Sequence, residues 1–455
     1  MKNYDVIVVG SGSGMIIASE AVDHGYSVAL VDKGPLGGTC LNLGCIPSKI
    51  LIFPADRIAE VQQSDKLGLS AEVKDIDFKS IMKRMRQSVT KSGEHIRESI
   101  LKTKGLDFYE AEGYFTADYT LNVAGQQIKG EKIFLASGSR PVVPPIKGIK
   151  EVAYLTSETV LELDEAPESL VIIGGSYIGV EYGHFFAAMG TKVTIIEMAE
   201  RLISGEEPEI CDLLEKKLKQ RMTIHTGMLA EEVKKSGSGA VVIAKDKETG
   251  NRKEFSAKAI MLAVGRRSNA DLLKVENSGI EVNKDGFIKV SDLFETTKKN
   301  IFAVGDANGT QMFTHVANRE ASLAAHNAFH NDSLKMDYGA APHAIYSHPQ
   351  IASVGLTEAQ ARQSHDILVG KAKYFDTAKG EAMAEEDGFA KAIIDKKTDN
   401  ILGFHIIGPY APILIQEVVN AMASGGHVTE INQGIHIHPA LSELIPITLN
   451  GAYEA

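Results

Sequence analysis

Apolar residues return in one arrangement at two places along the chain. The first starts with Val6-Ile7-Val8-Val9, short and β-branched as buried strands are, and stops at Gly10-Ser11-Gly12-Ser13-Gly14. A helical stretch to Gly25 follows, then a strand from Ser27 to Val31 closed by Asp32. The second starts with Leu170-Val171-Ile172-Ile173 and Gly174-Gly175-Ser176-Tyr177-Ile178-Gly179, continues as a helix to Gly190, and ends in a strand from Lys192 to Ile196 closed by Glu197. Between the two, Ile58 and Val61, then Ile81, Met85 and Val89, then Ile96 and Ile100 fall at helical spacing, which predicts long helices over 50–105 joined by a polar turn around Asp65 and Gly68. Residues 107–135 predict several short strands, and Pro141, Pro144, Pro145 and Gly148 mark a boundary. Strands and turns are expected over 221–264. A buried strand follows from Asn300 to Val304 with Asp306 just beyond its tip, and from 340 onward strands and helices carry no glycine-rich turn.

Strand, glycine turn, helix and strand with an acid 22 positions after Gly10, or 23 after Gly174, is the arrangement that holds a dinucleotide. Gly10 permits the tight turn, Gly12 lets the backbone approach a pyrophosphate at the helix N-terminus, and Asp32 can accept from ribose hydroxyls. Two such units predict two bound dinucleotides. Met15 stands where the first unit should have its third glycine, which predicts a displaced helix or a compensating small neighbour. Ser176 replaces the second glycine of the second unit and adds little bulk. Asp306 reads either as part of a Gly-Asp turn or as a ligand contact.

Composition narrows the class. With 455 residues, 44% apolar and 24% charged, the chain suits two to four globular domains. A formal net charge of -11 and scattered basic doublets (Lys216-Lys217, Lys234-Lys235, Lys298-Lys299) argue against a nucleic-acid partner. No leader core is visible at the start and no run of about 18 apolar residues occurs anywhere, so a soluble cytoplasmic protein without a membrane partner is expected.

Two of the three cysteines, Cys40 and Cys45, lie five positions apart in Gly37-Gly38-Thr39-Cys40-Leu41-Asn42-Leu43-Gly44-Cys45-Ile46-Pro47-Ser48-Lys49. On a regular helix that spacing is roughly 7.5 Å along the axis, beyond the roughly 4.4 to 6.8 Å a disulfide spans. A bridge here needs a distorted turn, for which Gly37, Gly38 and Gly44 give freedom, and Pro47 suits the first turn of the helix that follows. The pair reads either as a redox-active, strained bridge or as two free thiols. Cys211 stands alone in a charged helical stretch, and no metal is expected.

The dithiol inside a dinucleotide unit, the second dinucleotide unit and the late stretch His438-Pro439-Ala440-Leu441-Ser442-Glu443 together resemble the pyridine nucleotide-disulfide oxidoreductases, over essentially the whole chain. The resemblance implies an α/β fold with two Rossmann-like domains, for FAD and NAD, and a C-terminal α+β dimerisation domain. The boundaries it implies are an FAD domain over 1–148, an NAD domain over 149–267, a second FAD-domain segment over 268–339, and a dimerisation domain over 340–455. Gly10, Gly12, Asp32, Lys49, Gly138 and Asp306 would then face FAD. Gly174, Ser176, Tyr177, Gly179, Glu197 and Gly265 would face NAD, with Tyr177 covering the nicotinamide. Cys40 would exchange with substrate and Cys45 face the flavin, Glu181 would pair with Lys49, and His438, oriented by Glu443, would serve as acid and base, with His436 its rival. A cation at Lys49 would stabilise the reduced flavin as negative charge develops.

Among members, Ala18-Ser19-Glu20-Ala21-Val22 lacks the arginine pair of glutathione-reducing enzymes, and the C-terminus lacks the cysteine pair of mercuric reductases. The resemblance therefore implies a dihydrolipoamide dehydrogenase type: a homodimer that acts on a lipoyl-bearing protein with NAD. The missing third glycine and His438-Pro439-Ala440-Leu441 also resemble mycothiol-disulfide reductases, which leaves a reductase of another small disulfide as the alternative.

Overall fold

A computed structural model of the chain describes residues 1–330 and 332–454. The run at 6–9 lies in β1 (Lys2–Val9), between β2 (Val28–Asp32) and a later strand, with α1 (Gly14–Asp23) connecting β1 to β2. Alternate side chains of β1 enter opposite cores. Ile7 and Val9 pack with Ile133, Leu273 and Ile301, and Val6 and Val8 pack with Ile17, Ala21, Leu323 and Ala324. A strand covered on both faces needs an unbroken apolar run, which is what the sequence has there.

The chain continues through α2 (Gly38–Asn42), α3 (Cys45–Gln62) and α4 (Phe78–Lys102), then β3 (Leu106–Glu110), β4 (Gly113–Ala117), β5 (Thr120–Val123) and β6 (Gln126–Leu135). The helices differ from the expectation in one respect: α3 starts at Cys45, so the dithiol stretch is itself helical and broken only at Leu43 and Gly44. The first sheet runs β3-β2-β1-β6-β5-β4. β6 divides one edge between two partners: residues 126–129 pair antiparallel with β5, and 133–135 pair parallel with a strand from far along the chain.

After β7 (Ser139–Pro141), the second dinucleotide unit is β8 (Ser169–Ile173), α5 (Tyr177–Ala188) and β9 (Lys192–Ile196), followed by α6 (Pro208–Leu218) and β10 (Thr223–His225). Next come β11 (Met228–Ser236), β12 (Gly239–Asp246), β13 (Arg252–Ala257) and β14 (Ala259–Leu262). β10-β9-β8-β14 form a parallel sheet, and β11-β12-β13 form a separate antiparallel one. Phe185 and Phe186 of α5 pack with Phe78 of α4 and with Leu51 and Ala55 of α3, which joins the two dinucleotide units.

β15 (Arg266–Ser268) pairs with β7, and β16 (Ile301–Ala303) is the late partner of β6. α7 (Thr314–His330) lies on the same face of the first sheet as α1. Then β17 (Pro342–Ile345), β18 (Ile351–Gly355), β19 (Ile367–Lys373), β20 (Phe389–Asp395) and β21 (Ile401–Ile407) form an antiparallel sheet in the order β17-β18-β21-β20-β19. Ile415 and Val418 of the helix Ala411–Ala423 cover that sheet.

Candidate functional site

The two glycine turns have the same construction. Gly10 has φ +104° and a Cβ there would lie 2.2 Å from the Ala136 carbonyl; Gly174 has φ +110° and a Cβ would lie 2.3 Å from the Ala263 carbonyl. In both units the acid that closes the second strand is held by two backbone amides. Ser11 and Gly34 donate to Asp32 at 2.6 and 2.7 Å, and Gly175 and Ala199 donate to Glu197 at 2.5 and 2.7 Å. A carboxylate has about four acceptor positions, so each acid keeps capacity for ribose hydroxyls. The close approach that a third glycine would give the first unit comes from Gly14, where a Cβ would lie 2.8 Å from Val8 Cγ1; Met15 packs into the neighbouring core.

Both turns open into one cleft of about 1770 Å³, which Gly10, Gly12, Asp32, Lys49, Gly138 and Asp306 line on one side and Gly174, Ser176, Tyr177, Glu197 and Gly265 on the other. Gly179 is not in its wall. A Cβ there would lie 2.0 Å from the Gly174 carbonyl, so this glycine lets α5 pack closely rather than touching a ligand. Ser137 Oγ is buried in the cleft wall without a partner among the described residues, a hydroxyl suited to a polar ligand atom. The amides of the first turn, that orphan hydroxyl and the Asp306 carboxylate fit FAD. Asp306 stands at the end of β16, held by the Ser139 hydroxyl, to which Arg266 donates at 2.7 Å.

The dithiol lies between these walls. Gly37 (φ +96°) and Gly38 (φ +68°) turn the chain into α2 through backbone that favours glycine. A Cβ on Gly38 would lie 2.8 Å from Gly12 Cα, so the dithiol loop and the first glycine turn are in backbone contact. Cys40 sits in α2 and Cys45 begins α3, both as free thiols. Hydrogen bonding with Cys40, then with the Thr314 hydroxyl 3.4 Å away, and the nearby Lys49 charge bring the Cys45 thiol down to about 6. The same bond to Cys45, with burial, pushes the Cys40 thiol up. One sulfur is thus a thiolate at neutral pH and the other keeps its proton.

Lys49 Nζ donates to both carboxylate oxygens of Glu181, at 2.8 and 3.0 Å, and lies 4.7 Å from the centre of the Tyr346 ring. Glu181 also accepts from the Tyr346 amide at 2.9 Å. Tyr177 begins α5, stacks on Phe313 and His343, and donates to Glu206 at 3.2 Å. Thr314, Tyr346, Ser139 and Arg266 carry no motif in the sequence; each is brought to the site by tertiary contact alone.

His438 Nδ1 lies 2.9 Å from Glu443 Oε1, and the other Glu443 oxygen accepts from the Ala440 amide at 3.0 Å. That amide and the imidazole hold the Glu443 carboxyl below its ordinary range. The rival His436 is turned to Glu417 at 2.7 Å with its side chain 15% exposed, whereas that of His438 is 71% exposed. Neither His438 nor Glu443 lines the cleft that holds the dithiol of the same chain.

Comparisons with known proteins place this geometry. Residues 4–321 match the family model described as pyridine nucleotide-disulphide oxidoreductase, and 341–448 match that family's dimerisation domain. A dihydrolipoyl dehydrogenase of Geobacillus stearothermophilus is 35% identical over 97% of this chain and 94% of its own. A mycothione reductase of Mycobacterium tuberculosis (strain ATCC 25618 / H37Rv) is 34% identical over 99% of this chain and 100% of its own. Among solved structures, the Cu(II) complex of the HOCl-induced flavoprotein disulfide reductase RclA from Escherichia coli superposes with a TM-score of 0.88 at 28% identity, over 99% of both chains. With both dinucleotide units, the dithiol and the C-terminal domain thus matched end to end, the chain belongs to the pyridine nucleotide-disulphide oxidoreductases, FAD-binding and NAD(P)-dependent enzymes.

Proposed function

We propose that the protein is a dihydrolipoamide dehydrogenase, which oxidises a dihydrolipoyl dithiol to the disulfide and reduces NAD+ to NADH. The observation that carries this reading is the placement of an unequal dithiol in one cleft between two dinucleotide turns. Bound FAD supplies the two-electron relay between the dithiol and the nicotinamide. Cys40, the sulfur that keeps its proton, exchanges with the substrate. A substrate thiolate attacks the Cys40-Cys45 bridge at Cys40, Cys45 leaves as the thiolate its surroundings favour, and the second substrate thiol displaces Cys40 to close the product disulfide. His438, held by Glu443, takes the proton of the attacking substrate thiol and passes it to solvent, then takes the second and returns it to the Cys40 sulfur as that sulfur leaves. Lys49, fixed by Glu181, directs positive charge at the flavin side of the dithiol.

Glu197 supports NAD over NADP, since a carboxylate accepts from ribose hydroxyls and repels a 2'-phosphate, and Met198 and Ser204 offer no cation where relatives grip that phosphate. The C-terminal domain supports a homodimer in which His438 of one chain serves the dithiol of the other. The similarity to mycothione reductase over that protein's full length favours a second reading, reduction of another small disulfide. One set of assays separates them. kcat/KM for dihydrolipoamide with NAD+ should exceed that with NADP+ and that for mycothione or glutathione disulfide with either reduced nucleotide. A higher value with any of those disulfides, or with NADP+, overturns the assignment.

A further inference from the structure

A cluster outside the cleft carries a further inference. α1 and α7 run parallel: Ser13, before α1, bonds Asn318 in the early turns of α7 at 2.9 Å, and at the opposite ends Glu20 and His24 meet His326 and His330. His326 and His330 are four residues apart, so one face of α7 presents both imidazoles. One ligand atom from each of Glu20, His326 and His330 lies within 4.8 Å of the others. The His24 ring lies 4.8 Å from that of His330, and the His326 ring 4.6 Å from it.

Two of the ring nitrogens have their roles set by other partners. His24 Nδ1 donates to the Glu20 carbonyl at 2.8 Å, which leaves Nε2 as the acceptor. His326 Nε2 lies 3.2 Å from Asp332 Oδ2, and a carboxylate on one ring nitrogen leaves the other for a metal. Both helices end here, so the partial negative charge of two C-termini faces the cluster and favours a cation.

We propose that Glu20, His326 and His330 bind a divalent transition ion of the Zn2+ class, with water completing its coordination. Two imidazoles with one carboxylate suit Zn2+, and Co2+ as its spectroscopic substitute; Ca2+ and Mg2+ prefer oxygen. The ion would clamp the C-terminal ends of two helices whose opposite ends hold the first glycine turn and Thr314 beside Cys45. Sequence reading assigns no metal because the two halves of the cluster lie on helices far apart in the chain and neither half alone is a site.

The test uses untagged, FAD-loaded protein carrying Cys40→Ser and Cys45→Ser, which removes the dithiol as a competing ligand. Zn2+ titration should show one ion per chain, Co2+ should give visible d–d absorption, and Zn2+ should raise Tm. Adding His326→Gln and His330→Gln should weaken Zn2+ at least about tenfold. Unchanged flavin content and metal-free Tm report that this variant folds; His330→Gln alone, at the exposed end of α7, serves if they fall. With both cysteines intact, His330→Gln should leave turnover unchanged. No uptake of Zn2+ or Co2+, or uptake equally strong after the histidine substitutions, overturns the site.

Discussion

Two sulfurs five residues apart have unequal chemistry because their neighbours differ. Cys45 begins a helix, accepts from Thr314 and faces Lys49, while Cys40 is more enclosed and donates toward Cys45. In the two-electron-reduced enzyme, the long-wavelength absorbance that reports a thiolate beside oxidised flavin should therefore appear as pH rises through about 6 and vanish below it. Thr314→Val removes one hydrogen bond to the thiolate. One hydrogen bond of ordinary strength lost from the thiolate should raise the midpoint by roughly half to one pH unit. A midpoint that stays in place would mean that Thr314 does not hold Cys45. Thr314 also shows where sequence reading stops. The dithiol, Asp32 and Glu197, Lys49 and Glu181 stand in local patterns, but Thr314 is an ordinary residue at the start of α7 until folding sets it 3.4 Å from a sulfur.

Among the elements, the strand, turn and helix units were legible because buried parallel strands need unbroken apolar runs and close turns need glycine. Less was legible where pairing is remote. Nothing in Ile301-Phe302-Ala303 tells which strand it joins, and nothing in residues 228–257 announces a sheet separate from the parallel one beside it. The contact between Gly12 and Gly38 couples two such elements. Gly38→Ala sets a Cβ 2.8 Å from Gly12 Cα in left-handed backbone, and relief must displace either the dithiol loop or the first glycine turn. A cost of about 1 to 3 kcal/mol is expected. The purified variant should carry less flavin and melt several degrees lower; full flavin content with an unchanged Tm would show that the two loops adjust independently.

For the molecule as a whole, the dithiol and its proposed base do not share a cleft within one chain, and the region around His438 is unfinished. Ile435 and Ile437 are 101% and 76% exposed beside it, and Phe53 is 59% exposed on the dithiol helix, an apolar surface suited to a second copy. Cys40→Ser and His438→Ala homodimers should each lack turnover. In a purified heterodimer of the two, one site receives an intact dithiol from one chain and an intact His438 from the other, so activity should return to about half of the wild-type value per dimer. A heterodimer as inactive as its parents would place His438 with the dithiol of its own chain.

The divided edge of β6 also sets an order in time. As the chain leaves the ribosome, residues 133–135 have β1 on one side at once, but their other edge stays open until Ile301–Ala303 has been made. At about 5 to 20 residues per second that delay is roughly 10 to 30 seconds. The whole second dinucleotide unit is synthesised within it and can fold first, as an insert whose completion returns β16 to the waiting edge. Until then Ile133, Phe134 and Leu135 present one unpaired apolar edge, so the nascent protein is exposed to mispairing while its first domain is still missing a strand.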